Sequence, residues 1–353
     1  MRHGSEMPRS ETTYWTQCSG RVGRLQITQL LPEPRVRNED AGTLNSAEFG
    51  VEECFLHRIL SSEAPDPRYK NVEEHLRWPK FKLDLPSGER AEIFNFDSSA
   101  QGDRKYKSRR SFSVVVENLT NPLNVKGEIE ALLILASFAS RESSRCWYWQ
   151  HTNGRTFKQE WRFDVSKSDT RDDHEDPLLR RSREHYAEFL RRSMDVYRRS
   201  IHQDMLNHAI YAQLARNMPL ELRIARYFAG IQGALMFALQ KPRSEDRDEI
   251  GPLFRRFIRD NPRDFSDLWP LANAAKGASL TQIRNAIVHG EAFSEEDFRP
   301  LSFAAENLQW YLERIILIAL GWKVEQSAVS PSYLMRSFAY NWKEERRNFK
   351  LSR

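Results

Sequence analysis

The residue types best suited to chemistry lie in one short segment, Ser279-Leu-Thr-Gln-Ile-Arg-Asn-Ala-Ile-Val-His-Gly290. Arg284 supplies a guanidinium, Asn285 an amide and His289 an imidazole. An imidazole titrates near neutral pH, so it can accept or donate a proton. A guanidinium offers fork-shaped donors to phosphate oxygens. These groups suit the cleavage of RNA, which carries its own nucleophile in the 2′-hydroxyl.

This chemistry predicts a defined reaction. A base removes the proton of the 2′-hydroxyl, and an acid protonates the leaving 5′-oxygen. Arg284 would neutralise charge that builds up on the phosphate, and Asn285 would orient His289 or hold a phosphate oxygen. The predicted products are a 2′,3′-cyclic phosphate and a 5′-hydroxyl, with no metal and no cofactor required.

The segment should fold as one short helix, Leu280 to His289. Ser279 and Gln282 have the spacing of a capping box, and Gly290 can adopt the left-handed turn that ends a helix. A helix advances by about 100° per residue, so its residues can be assigned to faces. The side predicted to face the core holds Leu280, Ile283 and Ile287. The opposite, outward side holds Arg284, Asn285, Val288 and His289.

The pattern Arg284-Asn285-Ala-Ile-Val-His289 resembles the signature of the HEPN family, in which a polar residue follows the arginine and a histidine comes a few positions later. The whole chain is similar to Apea-like HEPN proteins of bacterial phage defence. This resemblance implies an endoribonuclease acting as a toxin-like effector, and a homodimer in which two such helices line one cleft. Val288, apolar within a polar face, fits a residue that packs across the two-fold axis.

Two alternatives remain open from the sequence. The chain could be a non-catalytic HEPN module that binds RNA or dimerises, with Arg284 and His289 making ordinary surface contacts. Nucleotide transfer onto a partner ranks lower, because the sequence carries no nucleotidyltransferase or P-loop signature.

The remaining sequence predicts an α+β chain of two domains. Residues 1–165 are predicted to form a strand-rich N-terminal sensor or regulatory domain with an embedded helix, about Lys126 to Ser140. Residues 166–178 read as an acidic linker, and residues 179–353 as the all-α, HEPN-type nuclease domain. Within the linker one group resembles metal ligands but is better explained as a solvated charge run: Asp172, Asp173, His174 and Glu175.

A long amphipathic helix is predicted to follow the short one. Ser294-Glu-Glu-Asp297 resembles a capped helix start, and Gly321 a C-terminal cap. Its predicted buried stripe consists of Phe298, Leu301, Ala305, Leu308, Leu312, Ile315 and Ala319. An earlier helix is expected to begin at Pro219. The final segment, 342–350, has mixed charge and no predicted role.

Net charge and composition favour a polyanionic partner. The net charge is +5 and the sequence pI is about 9.0, which is compatible with RNA, tRNA included. Candidate RNA contacts, each of which could equally be a solvated basic surface, are Arg180, Arg181, Arg183, Lys105, Tyr106 and Lys107. His202 and His208 are expected on helix surfaces. No segment is apolar enough to span a membrane, and the isolated cysteines suggest reduced thiols, so a cytoplasmic location is expected.

Overall fold

The structure is a computed structural model. It describes residues 12–19, 22–30, 46–51, 81–85, 88, 90–96, 111–117, 122–141, 146–152, 156–164, 177–179, 183–214, 218–240, 250–272, 277–291, 293–349 and 351. The chain divides into two compact units, the first comprising Met1–Ala136 and Ser143–His174 and the second Ser137–Glu142 and Glu175–Arg353.

The described backbone of the first unit contains extended segments and one helix. The extended segments are β1 (Thr12–Ser19), β2 (Val22–Leu30), β3 (Ser46–Val51), β4 (Phe81–Asp84), β5 (Arg90–Phe96), β6 (Ser111–Glu117), β7 (Cys146–Thr152) and β8 (Thr156–Asp164). Their backbones pair antiparallel in the order β1-β2-β8-β7-β3-β6-β5-β4. The helix is α1 (Pro122–Ser140), whose residues from Ser137 belong to the second unit.

The predicted fold class, α+β with a strand-rich N-terminal domain, is wrong for the part of the structure in which backbone and side chains are both described. That part is helical: 74% of it is helix, and it contains no complete strand and no sheet. Among the extended segments only Asp84 and Ala91 have described side chains. Among the described side chains, the buried apolar ones other than Leu85 and Ala91 lie from Val125 onward, on helices or in the segments that join them. Alternating sequence indicates local strand preference but not which elements pack into a core.

The described helices of the second unit are α2 (Arg183–Arg199), α3 (Gln203–Gln213), α4 (Leu220–Leu239), α5 (Ile250–Asp260), α6 (Leu280–Val288), α7 (Phe298–Ala319), α8 (Pro331–Leu334) and α9 (Trp342–Asn348). Short 3-10 turns occupy Pro262–Asp264, Glu295–Asp297, Val324–Gln326 and Phe338–Asn341. Pro219 is the N-cap of α4, as the sequence predicts. Leu178, at the end of the predicted linker, is fully buried, and its carbonyl accepts a hydrogen bond from the Ala328 amide.

Helix α7 forms the centre of the second unit and packs against α3, α4 and α9. The approach to α4 is close: a Cβ added to Gly230 would lie 2.7 Å from Ala212 Cβ and 3.1 Å from Leu312 Cδ2. The predicted capping box at Ser294 and the left-handed cap at Gly321 are confirmed. Phe298 is an exception to the predicted stripe, because it lies in the first turn of α7 and is 66% exposed.

A buried carboxylate joins four segments of the second unit. Arg141, just after α1, donates from Nε to Glu313 Oε1 at 2.8 Å and from Nη2 to Oε2 at 2.6 Å. Gln213 Nε2 donates to Glu313 Oε1 at 2.8 Å, and Gln309 Nε2 does so at 3.3 Å. Tyr227 donates in turn to Gln309 Oε1. The Glu313 side chain has no exposed surface, so its charge depends on these donors.

Replacing Arg141 should therefore destabilise the protein strongly. Arg141→Ala leaves the Glu313 carboxylate buried without its cation, which costs about 3–5 kcal/mol. The free energy of unfolding, measured by urea titration of the full chain, tests this. The matched control is Arg192→Ala, which breaks the exposed pair with Glu188 and should cost about 0.5 kcal/mol or less. Equal losses in the two variants would contradict the assigned role of the Glu313 network.

Candidate functional site

Helix α6 carries the candidate site, and hydrogen bonds fix both of its ends. At the N-terminus the Gln282 amide donates to Ser279 Oγ at 3.3 Å, and the Ser279 amide donates to Gln282 Oε1 at 2.8 Å. At the C-terminus Gly290 has φ +75°; its amide donates to Ile287 O, and the Glu291 amide donates to Ala286 O. These are the predicted capping box and a Schellman motif, and His289 is the C-cap.

The inner face of α6 differs slightly from the predicted one. Leu280, Ile283 and Ala286 are buried, whereas Ile287 is only half-buried. Leu280 and Ile283 thus confirm the prediction, but Ala286 takes the core position expected of Ile287. The nine residues of α6 are rotated so that the small Ala286 side chain faces the bundle, and α6 packs on α4.

The outer face of α6 presents all four predicted side chains to solvent: Arg284, Asn285, Val288 and His289. Arg284 Nη1 donates to Asn285 Oδ1 at 3.1 Å. The His289 backbone amide donates to Asn285 O at 2.9 Å, so Asn285 and His289 occupy adjacent turns. The side-chain amide of Asn285 therefore accepts a hydrogen bond from the guanidinium of Arg284. The sequence had suggested the imidazole of His289 as one of its partners.

This arrangement leaves an outward-facing set of donors. Because Asn285 Oδ1 already accepts from Arg284, Asn285 Nδ2 remains as a donor, beside the other N–H groups of the guanidinium. An exposed cluster of a permanent cation, an amide donor and an imidazole is suited to an anion such as a phosphate. A single copy of the chain contributes one imidazole to it.

The segment before α6 is held by α7. Arg314, which is fully buried, donates to both oxygens of Asp267, at 2.6 Å and 2.8 Å. Its Nε donates to Val329 O at 2.8 Å. The Trp269 amide donates to Asn307 Oδ1 at 3.0 Å, a second tie to α7. The segment that leads into α6 is therefore fixed by contacts with residues that are distant from it in sequence.

The C-terminal helix α9 covers the residues immediately before the N-cap of α6. Arg346 Nε donates to Ala278 O at 3.1 Å, and Trp269 Nε1 donates to the same oxygen at 2.9 Å. The Trp342 ring stacks on Trp269 with centroids 6.0 Å apart. Burial lowers the pKa of Arg346. The mixed charge of the segment 342–350 gave no signal of this role, because the contacts of Arg346 with Ala278 and of Trp342 with Trp269 pair residues that are about 70 positions apart.

Of the predictions for the other residues singled out from the sequence, the structure confirms one, contradicts one and leaves the rest undescribed. The side chains of the candidate RNA contacts lie outside the described residues: Arg180, Arg181, Arg183, Lys105, Tyr106 and Lys107. Of these residues, only the backbone of Arg183, in α2, is described. The acidic group of the linker also lies outside the described residues: Asp172, Asp173, His174 and Glu175. His208 is exposed as predicted. The prediction for His202 is wrong: it is 1% exposed, because it lies in the tight turn between α2 and α3, where its amide donates to Ser200 Oγ.

The described residues contain neither a cluster of metal ligands nor a membrane-spanning helix. Among them no group of three or more His, Cys, Asp or Glu side chains is placed to hold a metal ion. In the same part of the chain, no helix has the length and apolar composition that crossing a membrane requires.

Comparison with known proteins gives no match: no protein-family model, no curated protein and no solved structure is similar to the chain.

Two glycines that flank α6 allow the contact with α9 to be tested. Gly277 and Gly290 have nearly equal left-handed φ angles, +73° and +75°. An added Cβ would lie 2.7 Å from Arg346 O at Gly277, but meets nothing within 4 Å at Gly290. Gly290→Ala should cost about 1 kcal/mol for the backbone conformation alone. Gly277→Ala should cost about 1–3 kcal/mol more, because α9 must shift.

The free energies of unfolding of the two alanine variants, measured under identical conditions, make the comparison. Gly290→Ala serves as the control for backbone strain. An equal loss in both variants would mean that α9 does not press on the segment before α6.

Proposed function

We propose that the chain is a metal-independent endoribonuclease of the HEPN type. The observation that carries this proposal is the outer face of α6, where Arg284, Asn285 and His289 are exposed together on a helix that is capped at both ends. The order and spacing of these three residues are those of the HEPN signature. The proposal rests on this geometry and on the chemistry of the three side chains.

In the proposed reaction the phosphate lies over the outer face of α6. His289 removes the proton of the 2′-hydroxyl, and O2′ attacks the adjacent phosphorus while the bond from phosphorus to O5′ breaks. The guanidinium of Arg284, held by Asn285, stabilises the charge that develops on the non-bridging oxygens. An acid on the opposite side protonates O5′, which yields a 2′,3′-cyclic phosphate and a 5′-hydroxyl.

The acid has to come from elsewhere, because one imidazole cannot reach both sides of an in-line displacement. We propose that a second copy of the chain supplies it, with its own His289, in a homodimer whose two α6 helices line one cleft. Val288 supports this arrangement: it is 55% exposed on the same face of α6, where an apolar side chain gains by burial against a partner.

The biological setting belongs to the same proposal. An RNase that attacks cellular RNA, tRNA included, is expected in the cytoplasm and is suited to a toxin-like role in phage defence. Such an enzyme has to be restrained in its own cell, and we assign that task to the N-terminal region.

Loss of the imidazole should abolish cleavage. His289→Ala removes the proton carrier, so the cleavage rate should fall by about 10²–10⁴-fold or more. Purified protein is incubated with total tRNA and other cellular RNAs in EDTA, and the rate and the chemistry of the ends are measured. The matched control is His208→Ala, which removes another exposed histidine from the same unit and should cleave at the wild-type rate.

A rate that survives in His289→Ala would show that another group does the chemistry. If the wild-type protein binds RNA but cuts none, the protein is the non-catalytic module instead.

Disrupting the dimer should also abolish cleavage while the fold is kept. Val288→Asp places a charge where two apolar side chains are proposed to meet. Light scattering after size-exclusion chromatography should show a monomer, and the RNase assay should show loss of activity. Leu222→Asp is the control, since Leu222 is also exposed (58%) but lies on α4. A monomeric Val288→Asp variant that cuts RNA at the wild-type rate would contradict the composite site.

A further inference from the structure

Helix α5 presents a row of arginines that the sequence-based assignment of RNA contacts does not include. Arg255, Arg256 and Arg259 are exposed on α5, and Arg263 follows, also exposed, in the next 3-10 turn. Arg255 and Arg259 are one helical turn apart, which separates their backbones by about 6 Å along the axis. We call Arg255, Arg256 and Arg259 the α5 arginine face.

The opposite side of α5 fixes the direction in which the α5 arginine face points. Leu253, Phe254 and Phe257 are buried. Phe254 packs edge-on against Tyr311 of α7, with ring centroids 5.4 Å apart. Phe254 and Phe257 also both contact Phe265, at 6.0 Å. Leu253 and the two aromatic residues of α5 are therefore packed in the core, while Ile250 and Ile258 are half-buried. The exposed side of α5 carries charge and no large, fully exposed apolar side chain of the kind that inserts into a lipid bilayer.

The charge of the α5 arginine face is weakly compensated. From Ile250 to Arg259 the sequence of α5 contains no acidic residue. Among the described residues, Arg259 alone of the three has an ion-pair partner, Asp260, at the long distance of 3.7 Å and with both side chains mostly exposed. On α2, by contrast, Arg192 pairs closely with Glu188. Like charges held together on one face repel one another and are neutralised by a polyanion.

The residue types on this face distinguish a backbone contact from a base contact. All three cations are arginines, whose forked donors match phosphate oxygens. The aromatic side chains of α5, Phe254 and Phe257, are buried and cannot stack on bases. Contacts to phosphates alone hold and position a strand without reading its sequence.

We propose that the α5 arginine face binds the phosphate backbone of RNA, as a contact separate from the cleavage site on α6. That the bound strand is the substrate rests on the proposed nuclease function. The contact is independent of base sequence, weakens with salt, and contributes to the binding of substrate rather than to the chemical step.

The test compares two triple variants of the full chain with equal changes in charge. The first is Arg255→Gln/Arg256→Gln/Arg259→Gln; glutamine keeps helix propensity while removing the charge. The control is Lys323→Gln/Arg336→Gln/Arg347→Gln. These three exposed residues are spread along the chain, with Lys323 and Arg336 in connecting segments and Arg347 on α9. Unfolding midpoints verify that both variants fold. The probe is a fluorescent single-stranded 2′-O-methyl RNA, which has no free 2′-hydroxyl, and its Kd is measured by anisotropy over a range of salt.

The α5 variant should bind the probe about tenfold or more weakly at low salt, and the slope of log Kd against log salt should fall by about 2, as expected for three lost contacts to a single strand. The control should change far less. Equal weakening in both variants, an unchanged α5 variant, or no binding by the wild-type protein would overturn the proposal. So would an α5 variant that loses binding to anionic vesicles but keeps its RNA affinity.

Cleavage assays on the same proteins separate this inference from the proposed function. In an active enzyme the α5 variant should raise KM and leave kcat near the wild-type value. If the wild-type protein binds the probe through α5 but cuts no RNA, the nuclease proposal fails and the binding face stands. If RNA is cut and the α5 variant matches the wild-type protein in KM and Kd, the binding face alone fails.

Discussion

The site depends on one constraint: α6 is too short to be stable by itself, so the rest of the second unit has to hold it. A helix of nine residues falls below the length at which isolated helices persist in water. The Ser279 capping box satisfies two amides at its N-terminus, and the Gly290 turn satisfies two carbonyls at its C-terminus. The buried side chains of Leu280, Ile283 and Ala286 anchor one face, and the opposite face is left for function.

The anchoring reaches well beyond α6. Arg314 of α7 binds Asp267, and Arg346 of α9 donates a hydrogen bond to Ala278 O. The segment that leads into α6 is therefore fixed by two helices that are distant from it in sequence. The Glu313 network ties the end of α1 to the same helix α7. Two buried ion pairs of the second unit, Arg141 with Glu313 and Arg314 with Asp267, therefore stabilise the structure around α6. The exposed arginines lie on α5, the helix that precedes the segment leading into α6.

Local features of the second unit could be predicted from sequence because they are encoded by a few adjacent residues. The caps at Ser279, Ser294, Gly290 and Gly321 each need only one or two residue types at fixed spacing. The outward direction of Arg284 and His289 follows from helical periodicity. Periodicity could not predict that Ala286 is buried in the core while Ile287 is only half-buried, because the rotation of a short helix about its axis is set by the helices that it packs against.

Features that depend on tertiary contacts were missed for the same reason. His202 looks like a surface residue from its polarity, but the turn between α2 and α3 buries it. The pairs Arg141 with Glu313 and Arg346 with Ala278 join residues far apart in the chain. The prediction of the fold class was wrong because strand-like patterns in the N-terminal half do not show which elements pack into the core. The described core is formed by helices.

In the proposed function, the outer face of α6 directs the 2′-hydroxyl of RNA at its own phosphate. The most direct measurement compares an all-ribose oligonucleotide with the same sequence carrying a 2′-O-methyl group at every position, each incubated with the wild-type protein in EDTA. We expect that only the ribose strand is cut, with 2′,3′-cyclic phosphate and 5′-hydroxyl ends. Cleavage of both strands, or products that end in a 5′-phosphate, would contradict it.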